Sequence, residues 1–285
     1  MGSAYAAWVS SPRPLGTITR GTTNPNRLRR CDRWLLATHS QRLTKGAPPV
    51  LVDLGHGASG VTTAEWAHRV RPVRADVQVV GLEIDPERVA TAQAWAEPGV
   101  TFARGGFEVP LPKGQSERVI RAFNVLRQYD EGEVAEPWAI MSGRLDERGI
   151  VVEGTCDELG RLGSWVTLDR EGPQTLTLSW RLRDLSPQRL PSVVAERLPK
   201  ALIHRNIPGE PVHDLLTRID DAWRRAAPFA SYGARQQAVA ALGEVANDVA
   251  VLGGPDRWRL GELTVPWSLV APRSGPLAQE PTQRR

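Results

Sequence analysis

The stretch VLVDLGHGASG, residues 50–60, sets Gly55, Gly57 and Gly60 in a G-x-G-x-x-G spacing directly after an apolar run. Such a spacing makes a tight strand-to-helix turn whose backbone amides approach a ligand closely, and it is the usual cradle of a dinucleotide. The ligand class has to come from the neighbouring side chains. In a dinucleotide site the pyrophosphate rests against the helix N-terminus. Asp53, two residues before Gly55, would repel it, whereas a ligand presenting an ammonium group would be attracted. A second acid, Glu83, closes the apolar run VQVVGLE at the place where a carboxylate can take ribose hydroxyls, which suits either ligand.

These residues need a βαβ frame to bring them together. From Pro49 onward the pattern alternates. Val50 to Leu54 reads as a buried strand, residues 60–70 as a helix, Val77 to Glu83 as a second strand and Pro86 to Trp95 as a second helix. Further strands are predicted at Val100 to Ala103, Arg118 to Phe123 and Gly149 to Gly154, with a helix from Glu133 to Leu145. Trp165 to Asp169 and Thr175 to Arg181 alternate around REGP and predict a hairpin. A C-terminal extension follows from about Ser186, with a helix near 234–250 and a second hairpin expected in RWRLGELTVPWSLV. The expected fold is α/β: a Rossmann-like, mostly parallel sheet ending in an antiparallel hairpin, with a C-terminal extension.

Taken in this order, residues 24–182 resemble the class I S-adenosylmethionine-dependent methyltransferases. Asp53, Gly55 and Gly57 match the family's acid-x-G-x-G loop, Glu83 its ribose-binding acid, and the 165–181 hairpin its antiparallel sheet end. The resemblance implies S-adenosyl-L-methionine as cofactor, bound by Asp53, Gly55, Gly57, Glu83, Phe107 and Asn124. There are two departures. Ala58 and Ser59 lengthen the loop by one residue, leaving Gly60 for helix packing, and Gly106 stands near the place of the adenine-binding acid, with Phe107 expected to flank the adenine and Glu108 to supply the acid in a shifted register. The acceptor is expected beside the tip of the fourth strand, FNVLRQYDEGE. Asn124, Arg127, Gln128, Tyr129 and Asp130 then face it, and Asn124, Arg127, Tyr129 and His204 are the catalytic candidates. Methyl transfer to an unidentified acceptor, a small molecule ahead of RNA, is the function implied. A catalytically silent relative that binds the cofactor or RNA and an NAD-linked oxidoreductase are the alternatives.

Other polar residues have plain structural readings. Glu153, Thr155, Cys156 and Asp157 fit loop and capping roles, and His204, Arg205, Asn206 and His213 form a polar cluster in the extension. The chain has 285 residues, 41% hydrophobic and 24% charged, which fits a packed globular core. No apolar run approaches the roughly 20 residues of a membrane span and no secretory signal is evident, so a cytoplasmic location is expected. Cys31 and Cys156 lack metal-ligand spacing, and no metal is expected. The net charge of +4 is arginine-dominated, but residues 1–50 hold Arg13, Arg20, Arg27, Arg29, Arg30, Arg33, Arg42 and Lys45 against Asp32 alone. This basic arm is a lid over the cofactor, a phosphate or nucleic-acid contact, or a solvated helix starting at Asn24-Pro25. The expected organisation is a basic arm and helix (1–48), a cofactor-binding core (49–182), an extension (183–272) and a disordered tail (273–285). Fraying is expected at both ends, and the oligomeric state is open.

Overall fold

The structure, a computed structural model, describes residues 11–19, 23–110 and 117–278. In chain order the elements are α1 (Arg29–Leu43), β1 (Val50–Leu54), α2 (Val61–Val70), β2 (Gln78–Glu83), α3 (Pro86–Ala92), β3 (Val100–Arg104), β4 (Glu117–Phe123) and α4 (Ala135–Ser142). They continue with β5 (Leu145–Cys156), β6 (Leu162–Asp169), β7 (Gly172–Trp180), α5 (Lys200–Ile203), α6 (Pro211–Arg225), α7 (Ala234–Asp248), α8 (Pro255–Trp258) and β8 (Glu262–Pro266).

One sheet in the order β3-β2-β1-β4-β5-β6-β7-β8 runs through the molecule. The first five strands are parallel and β6, β7 and β8 follow as an antiparallel meander. This is the Rossmann-like α/β fold expected. The strand order reverses between β1 and β4, and a crevice opens at such a switch point beyond the carboxyl ends of the strands. Buried runs such as VLVDL and ERVIRAF form strands covered on both faces. One face carries Leu51, Val79, Val119 and Val152 against α1 and α2, including Trp34 and Trp66. The other carries Val52, Val80, Ile120 and Val151 against α4 and the extension, including Leu216, Trp223 and Leu242. The extension is continuous with this core: β8 pairs with β7, and α6 and α7 pack on the same face.

Three expectations are corrected. Asn24 does not cap a helix. Its side-chain amide donates to the Glu158 carbonyl, and α1 begins at Arg29 after a turn. The predicted hairpin in RWRLGELTVPWSLV is the short α8 followed by the single strand β8, because the partner for that strand is β7. The fourth helix stops at Ser142 rather than Leu145, and Leu145 already opens a longer β5. The tail beyond 278 and the first ten residues, where fraying was expected, lie outside the described residues.

Arg121, fully buried on the middle of β4, ties this frame together. It is ion-paired to Asp32 of α1 and to Asp53 of β1, the latter at 2.9 Å. Nη2 also donates to the Thr62 carbonyl at 3.1 Å, and the guanidinium lies 4.3 Å from the Trp66 ring centroid. Arg69 of α2 reaches the other oxygen of Asp32 at 2.7 Å. Burial opposes the Arg121 charge, but Asp32 and Asp53 outweigh it and raise the pKa above the ordinary arginine value. Replacing Arg121 by Met leaves two buried carboxylates short of their countercharge and is expected to cost about 3–5 kcal/mol in urea unfolding. Replacing Asp32 and Asp53 by Leu in that variant should restore much of the loss; a single-variant loss under about 1 kcal/mol would mean the network is not what holds α1 and α2 to the sheet.

Candidate functional site

The switch point carries two adjoining cavities. The smaller, a narrow cavity of about 10 Å³, is bounded by Leu54, Gly55, Glu83, Gly106, Phe107 and Val125 and covered by Leu15, Thr17 and Thr19 of the N-terminal arm. The larger is an open cleft of about 360 Å³ lined by Gly55, Gly57, Asn124, Arg127, Gln128 and Arg197, with Thr19, Thr23, Arg27, Phe123 and Glu158 at its sides. Gly55 and Thr19 belong to both.

The glycines are required by geometry. Gly55 and Gly57 have φ of +71° and +76°, where L side chains are strained. A Cβ at Gly55 would stand 2.7 Å from Val125, and one at Gly57 2.5 Å from the Thr23 hydroxyl. Thr23 Oγ1 itself donates to the His56 carbonyl at 2.7 Å, so a side chain already covers the loop at Gly57. Gly60 serves packing: a Cβ there would lie 2.5 Å from the Phe102 ring, which also meets His56 edge-on at 5.3 Å. Burial lowers the pKa of His56.

Glu83 closes β2 at the rim of the smaller cavity, 2% exposed. Its Oε2 accepts from the Gly57 amide at 3.0 Å and its Oε1 from the Ile84 amide at 2.9 Å. The Asp85 amide also donates to Oε1, at 3.4 Å, so of the roughly four lone-pair directions of a carboxylate one remains free, on Oε2, for a hydroxyl. Phe107 walls the cavity and meets Tyr129 edge-on at 5.6 Å. Asp53 is placed differently from what the sequence suggested. Its carboxylate lines neither cavity, and it accepts from Thr62 Oγ1 at 3.0 Å, Thr63 Oγ1 at 2.8 Å and Arg121 Nε at 3.0 Å. The strand alternation turns it toward α2, behind the loop, and Arg121 offsets its charge. Electrostatic repulsion of a pyrophosphate by Asp53 therefore loses its force.

The arm is not frayed over 11–19. The Leu15 amide donates to Glu108 Oε2 at 2.7 Å, and the Phe107 amide donates to the Leu15 carbonyl at 3.0 Å. The Thr17 amide donates to the Tyr129 hydroxyl at 2.6 Å, and Gln128 Nε2 donates to Thr17 Oγ1, also at 2.6 Å. Glu108 thus anchors the arm rather than lining either cavity. Three arginines of the basic segment are committed within the chain. Arg27 donates to the carbonyls of Cys156 and Asp157, Arg30 to those of Trp180 and Leu260, and Arg42 to that of Arg148. Arg13, Arg29, Arg33 and Lys45 are exposed, and Arg20 lies outside the described residues.

At the β4 tip, Asn124 sits at φ +61° and clips β4 to β5, its Oδ1 accepting from the Cys156 amide at 3.0 Å. Asp130 turns away from the cleft and its amide donates to Glu133. His204 lies 3.1 Å from Lys200 Nζ and lines neither cavity. Arg205 pairs with Glu131 and Glu210, and His213 contacts Asn206, which stitches the extension to the loop before α4. Asp157 holds the β5–β6 turn. Thr155 and Cys156 are buried, and burial raises the Cys156 thiol. Arg121 and Arg197 escaped the sequence reading. Arg121 finds its partners Asp32 and Asp53 89 and 68 residues away, and Arg197 enters from more than seventy residues beyond the β4 tip. Among the described residues no group of three or more His, Cys, Asp or Glu is placed to hold a metal, and no helix is long and apolar enough to cross a membrane.

No model of a known protein family matches the chain, and no curated protein matches it. Solved structures similar to it include the LepI complex with SAM, 19% identical over 40% of this chain and 29% of that one, TM-score 0.33. Magnesium protoporphyrin IX methyltransferase from Synechocystis PCC 6803 with bound SAH is 18% identical over 46% of this chain and 55% of its own, TM-score 0.35. The CcbJ methyltransferase from Streptomyces caelestis is 19% identical over 54% of this chain and 65% of its own, TM-score 0.32. The chain thus spans less than two thirds of the length of each.

A Cβ at Gly106 would stand 2.0 Å from the Leu15 carbonyl oxygen, so Gly106→Ala is expected to lift the arm. Hydrogen exchange at the Phe107 and Thr17 amides should accelerate about tenfold or more while β4 stays protected; unchanged exchange would mean the arm does not depend on that close approach. Behind the site, Glu153 is fully buried on β5, and burial pushes its pKa up from 4.5 to about 8. The folded state then keeps a proton that the unfolded state releases, so Glu153 makes stability fall as pH rises from 4.5 to 8 and level off above. Glu153→Gln should gain on the wild type across that window in urea titrations at stepped pH, and a constant difference would place the Glu153 pKa near its ordinary value.

Proposed function

We propose that this chain is an S-adenosylmethionine-dependent methyltransferase acting on a small molecule. One observation carries the reading: two cavities meet at Gly55, one narrow, beneath the arm and edged by Glu83, the other wide and open beside the β4 tip. A donor with a nucleoside end and a separate reacting end would fill the narrow cavity as the arm over 11–19 gives way, with its reacting end at the junction, and an acceptor suits the open one. Thr23 over Gly57 disfavours the dinucleotide alternative, because that glycine is where backbone would have to approach a pyrophosphate. The commitment of Arg27, Arg30 and Arg42 to backbone carbonyls disfavours RNA.

When bound, the cofactor supplies an electrophilic methyl group on a sulfonium. Glu83 would hold a ribose hydroxyl, Phe107 would flank the adenine, and the arm over 11–19 would exclude water from that end. Asn124 fixes the β4 tip that aligns the acceptor, and Asp53 acts as a positioning residue that sets the glycine loop through Thr62 and Thr63. Such a displacement needs alignment and a dry site more than acid-base chemistry. His204 has no role in this reading.

Calorimetric titration with S-adenosylhomocysteine and separately with NAD tests it. Saturable binding of the first alone is expected, weakened by about ten- to a hundredfold in Glu83→Ala through loss of charge-assisted hydrogen bonds. Binding of NAD alone would overturn the assignment.

A further inference from the structure

The open cleft is ringed by charge from four separate segments. Arg27 precedes α1, Arg127 follows β4, Glu158 lies in the β5–β6 turn, and Arg197 comes from the extension just before α5. Three guanidiniums face one carboxylate, a formal excess of two positive charges. Glu158 does not quench it. Its Oε1 stays 3.8 Å from Arg197 Nη2, and its side chain is 66% exposed. Arg197 Nε is buried with no hydrogen-bond partner among the described residues. Among the described residues Arg127 makes no hydrogen bond or ion pair, and the charge that acts on it most is the like charge of Arg197. Burial and that neighbour lower the pKa of Arg127 from the ordinary arginine value, a sign that the cluster is held together at a cost.

On the methyltransferase reading, on which this inference rests, the cofactor deepens the excess. Its ammonium and sulfonium outnumber its one carboxylate, so its arrival adds a positive charge. Glu83 faces the cofactor end, which leaves the arginines of the cleft for an anion carried by the acceptor. We propose that the cleft recognises a small acceptor through an anionic group, a carboxylate or a phosphate monoester, held between Arg127 and Arg197. Guanidiniums present planar pairs of donors that suit both groups. Arg127 follows the β4 tip and Arg197 lines the same cleft near enough to be the main charge acting on it, so an anion held by both would orient the acceptor while taking no part in the bond that forms. Arg27, already donating to two carbonyls, contributes field rather than a contact.

The test uses the full chain saturated with S-adenosylhomocysteine and three probes of similar shape: benzoate, phenyl phosphate and neutral benzamide, together with a short single-stranded RNA. At least one small anion should bind about tenfold or more above benzamide, and Arg127→Gln and Arg197→Gln should each remove most of that preference. Arg127→Lys should retain part of it, and the affinity for S-adenosylhomocysteine should stay within about twofold of wild type in all three variants. Whichever of benzoate and phenyl phosphate prevails identifies the group. Benzamide binding as well as the anions, an anion preference untouched by both Gln variants, or RNA binding above the small anions through the same arginines would each overturn the proposal. Arginine-dependent anion binding in a protein that does not take up S-adenosylhomocysteine would uphold the anion site and remove the cofactor reading instead.

Discussion

A full positive charge with no access to water sits on the central strand pair, and Arg121 keeps it there only because Asp32, Asp53 and the Trp66 ring surround it. Desolvating a guanidinium is expensive, so each partner must be held at contact distance once the arginine is buried. That requirement links four elements. Asp32 sets where α1 docks, Trp66 and the Thr62 carbonyl set α2, and Asp53 sets β1 two residues before Gly55. A purely apolar packing of α1 would tolerate sliding by a turn or a change of face; a buried ion pair at one position does not.

The loop geometry follows from the same constraint. Thr62 and Thr63 lie in the first turn of α2 and donate to Asp53, so the helix start is fastened to the strand end and the intervening glycines have little freedom left. Gly60 completes the fastening by admitting Phe102, and Glu83 takes the Gly57 amide from the neighbouring strand. An acid and an arginine behind the loop, rather than in front of it, leave the ligand side electrically shaped by Glu83 and by the arginines of the cleft. The cradle is rigid for reasons that lie one layer below the surface it presents.

Much of this frame is legible in the sequence because it is local. The apolar runs at β1 and β2, the glycines between them and the acid that ends β2 fall within about thirty residues, and their order suffices to place them. The hairpin of β6 and β7 is legible from alternation around REGP for the same reason. What escapes is whatever depends on a distant partner. Asn24 followed by Pro25 has the form of a helix cap, but the Glu158 carbonyl captures the side chain. Residues 11–19 have no periodicity because their order is borrowed from Glu108, Gln128 and Tyr129. Asp53 reads as a ligand-facing acid until the direction of its side chain is known, and that direction is set by Arg121, which a linear reading does not pair with it.

The two ends of the chain play complementary parts around this frame. The segment before α1 closes one cavity by threading over Gly106, where the missing side chain lets its backbone approach Phe107. The extension after β7 covers the opposite face of the sheet, adds β8 to its edge and carries Arg197 to the rim of the open cleft. The parallel strands supply a switch point that many chemistries could use, and selectivity then has to come from what is added at either end. Here the additions differ in character. The arm contributes backbone hydrogen bonds that cover the smaller cavity, whereas the extension adds one more charge, that of Arg197, to the open cleft. The two termini converge on the switch point, Thr19, Thr23 and Arg27 from one side and Arg197 from the other, so the cleft is complete only when both segments are docked on the sheet.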